Sequence, residues 1–127
     1  MLSNCGRLID LGIWSIDANR LEAYFSATSA TAASRMGIEL IPPVMLTAEV
    51  LTILIDKLEL PSGTIHSGQE INAYKLVKPG QYVLGWANAS KPSIKGQWQF
   101  VVIDYSLSDQ IYNLVLTGRT TVMVPVC

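Results

Sequence analysis

Two side chains carry most of the acid–base potential of this chain: its single histidine, His66, and Glu49, a carboxylate set inside an apolar run. A histidine that faces a substrate tunnel can take a proton as general base, whereas a strand histidine can equally spend its ring on a structural hydrogen bond. Glu49 interrupts an otherwise greasy helix, and a carboxylate buried there needs partners. If it reaches solvent or a partner subunit instead, that need disappears. Ser29 and Ser34 offer hydroxyls, but there is no Gly-x-Ser-x-Gly elbow, and a hydrolase triad can be assembled only through His66. Cys5 and Cys127 lie at opposite ends in no metal-binding spacing, and one histidine cannot supply a zinc site. No metal or cofactor is expected. The thiols read as free in a reducing cytoplasm.

These groups must be positioned by 127 residues, a length that suits one domain spanning 1–127. Half of the chain is hydrophobic and 15% is charged, enough apolar material for a core and more than a solitary monomer needs. A buried subunit interface is therefore expected. The net charge is −1 and the nine basic residues are dispersed, which argues against a nucleic-acid partner. The longest apolar stretch, Val44 to Ile55, is broken by Thr47, Glu49 and Thr52 and is too short to span a bilayer. The N-terminus carries no signal-peptide pattern. A soluble, cytoplasmic protein is expected.

The elements run short strand, short helix, long helix, then strands to the end. Leu11 to Ile16 reads as a strand. Asp17 can cap a helix over Ala18 to Ala27, where Leu21, Tyr24 and Phe25 recur at helical spacing. Thr28 to Ser34 is a run of small residues with no decisive period. Pro42 and Pro43 open the second helix. Apolar residues from Met45 to Ile55 occupy most of its circumference, so it must be enclosed. Pro61, Ser62 and Gly63 stop it. Strands follow over Thr64 to Val77, Gln81 to Ala89, Gln97 to Ser106 and Tyr112 to Val124, separated by turn signals such as Lys78-Pro79-Gly80. In the last, Tyr112, Leu114, Leu116, Val122 and Val124 share one face, and Asn113, Thr117, Arg119 and Thr121 the other. Short connections suit antiparallel neighbours, and a long buried helix ahead of such a sheet implies a sheet curled around that helix. This is an α+β architecture, the hot-dog arrangement.

Several segments now point to one family. Ile41-Pro42-Pro43-Val44-Met45-Leu46 resembles the Ala-Pro-Pro-Thr-Phe-Leu start of the central helix in MaoC-like dehydratase domains, the (R)-specific enoyl-CoA hydratases. Tyr74-Lys75-Leu76-Val77-Lys78-Pro79-Gly80 is similar to their turn ending Arg-Pro-Gly. The stretch from Phe100 through Ser108-Asp109-Gln110 to Thr121 resembles their final hairpin, and Ile16 to Tyr24 the lead into their first helix. The pieces keep the family's order over nearly the whole chain. They look most like the N-terminal, often non-catalytic, half of double hot-dog members.

In catalytic members the first helix ends in Ala-Thr-Gly-Asp and continues Asn-Pro-Ile-His, whose Asp and His activate the water added to an enoyl thioester. This chain has Ala27-Thr28 and then Ser29-Ala30-Thr31-Ala32-Ala33; Ala30 stands where the Asp would be, and no histidine follows. The resemblance thus implies a degenerate domain that binds an acyl-CoA-type thioester or supports a catalytic hydratase subunit. It would form a homodimer, a higher homo-oligomer, or a heterodimer with a catalytic hot-dog chain. The alternative is an active acyl-CoA thioesterase or enoyl-CoA hydratase using Glu49 or His66 as catalytic residue. Pro43, Met45 and Arg119 are the candidate substrate-binding residues, with Arg119 and Lys95-Gly96 able to meet a CoA phosphate.

Overall fold

A computed structural model describes residues 2–27 and 40–126. The stretch in which Ala30 replaces the expected Asp lies outside the described residues. Strand β1 (Leu8–Trp14) leads into helix α1 (Ala18–Ala27), followed by the long helix α2 (Pro43–Leu58). Then come β2 (Ile65–Ala73), β3 (Val83–Ala89), β4 (Ser93–Lys95), β5 (Trp98–Asp109) and β6 (Leu114–Pro125). All pairings are antiparallel, in the order β1-β3-β5-β6-β2, with the short β4 added to β5.

Local chemistry accounts for the starts and stops. The Asp17 carboxylate accepts from the Arg20 backbone N–H at 2.7 Å, capping α1 as its sequence predicts. Proline at the first turn of α2 removes an amide that would have lacked a helical partner anyway. The helix ends on Glu59, whose left-handed backbone lets its own N–H reach the Asp56 carbonyl while Leu60 N–H reaches that of Ile55. Strand β1 begins three residues earlier than expected. A bulge between Asp10 and Gly12, closed by Gly12 N–H on the Asp10 carboxylate, shifts its register with β3, and the strand ends at Trp14, short of Ile16.

Along α2 the row Leu46, Val50, Leu54 and Leu58 recurs every fourth residue and is buried, joining Val101, Ile103, Leu107, Leu116, Val122 and others in one apolar core. The expectation that the whole helix is enclosed needs correction. Val44 and Ile55 are 52% and 54% exposed, because one sheet covers one side of a helix and leaves the opposite row open.

The last strand also departs from a simple alternation. Leu116, Gly118, Thr120, Val122 and Val124 do face the core. Leu114 does not, because the pairing with β5 slips between Leu107 and Ser108 and Val115 becomes an extra buried residue. Tyr112 lies outside the strand in a left-handed conformation, 77% exposed. The slip turns both residues off the face the sequence period gave them.

Candidate functional site

The open side of α2 and the rim of the sheet enclose a groove of about 400 Å³. Its walls come from Leu51, Leu54 and Ile55 on α2, Ile103 on β5, Val122 on β6, and His66 on β2. A cavity of this size, mostly apolar and with His66, Ser62 and Thr64 as its polar side chains, suits an apolar ligand held by a few directional contacts.

His66 owes its place to pairing. It stands opposite Val122, just before a slip in the β2–β6 register, so its ring shares the helix-facing side of the sheet. There its Nε2 lies 2.5 Å from the hydroxyl of Thr120, which is completely buried. The same hydroxyl lies 3.2 Å from the Gly68 carbonyl oxygen, in reach of a hydrogen bond it donates. Sequence reasoning missed Thr120. Its signal was present: it falls on the even-numbered face with Leu116 and Val122, a hydroxyl among apolar side chains.

Glu49 is held elsewhere. The Arg20 guanidinium on α1 donates to its carboxylate at 2.6 Å, with the Arg20 side chain half exposed. Glu49 is partly buried and is not among the residues lining the His66 groove. The two candidate catalytic residues therefore do not meet in one site. Of the candidate substrate-binding residues, Met45 is buried in the core, Pro43 is partly buried at the start of α2, and Arg119 is exposed on β6. The Asp104 carboxylate accepts from two guanidinium nitrogens of Arg119 at 2.7 and 3.3 Å, and this pairing holds its pKa above the usual arginine value.

A second polar arrangement runs beneath α2. Gln69 on β2 donates to the Tyr105 hydroxyl at 2.9 Å, and that hydroxyl stands 3.5 Å from the buried Thr47 hydroxyl on α2. Burial pushes the Tyr105 phenol up in pKa, while the Thr47 contact pulls the other way. Near the β5–β6 turn, Lys75 donates to Asp109, which also accepts from the Ile111 and Asn113 amides. These contacts, the Lys75 hydrogen bond foremost, hold the Asp109 carboxyl below the usual range. Among the described residues no three His, Cys, Asp or Glu side chains gather as a metal site. No helix among them is long and apolar enough to cross a membrane.

A curved antiparallel sheet in this strand order, laid against one long helix, is the hot-dog fold, and the chain has it. Solved structures share this fold. A C-terminally truncated HadBC (3R-hydroxyacyl-ACP dehydratase) complex from Mycobacterium tuberculosis matches at 15% identity over 95% of this chain and 97% of that one, with a TM-score of 0.75. The (R)-hydratase of A. caviae involved in PHA biosynthesis matches at 16% identity, 95% and 96% coverage, and a TM-score of 0.72. A MaoC-like dehydratase from Rhodospirillum rubrum matches at 15% identity, 97% and 93% coverage, and a TM-score of 0.73. At such identities the likeness is one of fold, and the fold is that of the proteins the sequence segments resemble. No protein-family model matches the sequence, and no curated protein does.

Proposed function

We propose that this chain is a hot-dog subunit that holds the acyl part of a thioester such as an acyl-CoA, acts beside a second hot-dog chain, and does not itself hydrate the ligand. The groove between α2 and the sheet carries this reading: about 400 Å³ of mostly apolar wall, reached from the open row of the helix. Hydration requires a base for the water and an acid for the carbon. The sequence has no Asp or His in the stretch after Ala27-Thr28, and Glu49 is engaged by Arg20 away from the groove.

The edge of the sheet supports the partner. β2 ends the strand order, and its nine residues have no neighbour on the outer side among the described residues. A bare edge beside an uncovered apolar helix row invites pairing with another chain. The mycobacterial dehydratase of the same fold is a HadBC complex. For the purified chain the expected partner is a second copy. Arg119 remains a candidate for a CoA phosphate, in competition with Asp104.

A second reading, thioester hydrolysis with His66 as base, is favoured by the position of that ring in the groove wall. One experiment separates the two. A panel of trans-2-enoyl-CoA thioesters is mixed with the purified, folded chain, and loss of the double bond and release of CoA are followed together. The account expects neither. Hydration would overturn it, and CoA release alone, abolished by His66→Ala, would replace it with a thioesterase.

A further inference from the structure

We propose that His66, set by Thr120, is a specificity-determining residue that selects acyl chains bearing a hydroxyl group in their distal half over the bare hydrocarbon. The inference rests on the reading of the groove as the acyl site and adds what that site prefers.

The imidazole is the one titratable side chain among the residues lining the groove. Thr64, another lining residue, donates its hydroxyl hydrogen to the Pro61 carbonyl at 2.7 Å. Thr120 has a single hydroxyl hydrogen and two close neighbours, His66 Nε2 and the Gly68 carbonyl. A carbonyl can only accept, so a Thr120 hydroxyl that satisfies Gly68 must itself accept from an N–H on Nε2. The neutral ring then carries its lone pair on Nδ1, which has no hydrogen-bond partner among the described residues. Packing methylene groups against that nitrogen strips it of water and returns nothing. A ligand hydroxyl donates to it. A ketone, which only accepts, does not.

The position along the chain follows from the lining. Leu60 and Pro61, just past the C-terminus of α2, line the same groove, and no charged side chain stands among its lining residues to meet the phosphates of a CoA. The groove therefore receives the part of the ligand remote from the thioester, and a neutral donor suits it.

The probes are S-dodecyl-CoA, a non-hydrolysable thioether, and its derivatives carrying one hydroxyl or one oxo group at successive carbons of the distal half. Calorimetric titration should find at least one hydroxy isomer binding about five- to tenfold more tightly than the parent, as one net hydrogen bond allows. The matching oxo isomer should gain nothing. His66→Phe should erase the preference for the hydroxy isomer over the parent. Thr120→Val should release the constraint on the tautomer and narrow the gap between the hydroxy and oxo isomers, and ¹⁵N shifts of the ring should show a bare Nδ1 in the native protein. If the parent binds and every hydroxy isomer binds no better, the role of His66 is refuted and the acyl site stands. If no probe binds, the acyl site fails and this inference with it.

Discussion

Gly118 stands opposite Tyr105 across β5 and β6, and a β-carbon there would lie 2.2 Å from the ring's Cζ. The ring has little room to give way, because Tyr105 is buried and its hydroxyl is engaged by Gln69 and Thr47. Gly118→Ala should destabilise the fold by about 1–3 kcal/mol in a urea titration, and the cost should shrink when Tyr105 is also replaced by Val, as contacting residues couple. A neutral Gly118→Ala would show that the ring does not lie over the glycine. Asp109 gives a pH test. Its folded-state pKa is depressed by Lys75 and two backbone amides, so its contribution is present above the unfolded carboxylate pKa and is lost as pH falls through the folded one. Its carboxyl carbon should titrate below the ordinary aspartate range in an NMR titration, and Lys75→Met should move it upward. At this scale the sequence singled out His66 and Glu49 but not their partners. Thr120 is 54 residues from His66 and Arg20 is 29 from Glu49, separations that only strand register and helix docking close.

At the scale of elements, α2 is where reading and structure agree on the segment and differ on its surroundings. Pro42-Pro43 and Pro61-Ser62-Gly63 bracket the helix in the sequence, and the helix runs Pro43–Leu58. Its all-round apolar character was legible. What covers each row was not, since a row facing a partner chain reads like a row facing the core. Leu54, almost fully buried, and Ile55, half exposed, separate the two cases. Leu54→Ala should cost about 2–5 kcal/mol and Ile55→Ala well under half of that, measured on the same denaturation curves. Equal costs would mean that the open row is buried. The bulge at Val115 was invisible to a period-two pattern, because an apolar residue inserted among apolar residues leaves no mark. The outer edge of β2, which has no strand neighbour among the described residues, predicts a homodimer. Sedimentation at micromolar concentration should give twice the 13.9 kDa chain mass, and a monomer throughout would contradict closure of that edge by a second copy.

The whole molecule was legible in outline from few features: the order of helix and strands, the proline pairs, and the turn at Lys78-Pro79-Gly80, whose Gly80 adopts the positive φ it needs. The hot-dog fold follows from these together, and solved structures of that fold cover 95–97% of the chain. The function was less legible, because the stretch after Ala27-Thr28 holds small residues and no Asp or His that would declare a reaction. The groove supplies what the sequence could not, since its walls come from α2, β2, β5 and β6 at once. Its occupancy by an acyl chain is the central claim. Calorimetric titration of S-dodecyl-CoA against the native chain and against Ile55→Trp, which fills the groove from its exposed wall, tests that claim most directly. Saturable binding by the native protein, lost in a variant of unchanged stability, is the predicted result. Absence of saturable binding, or binding indifferent to the tryptophan, would contradict it.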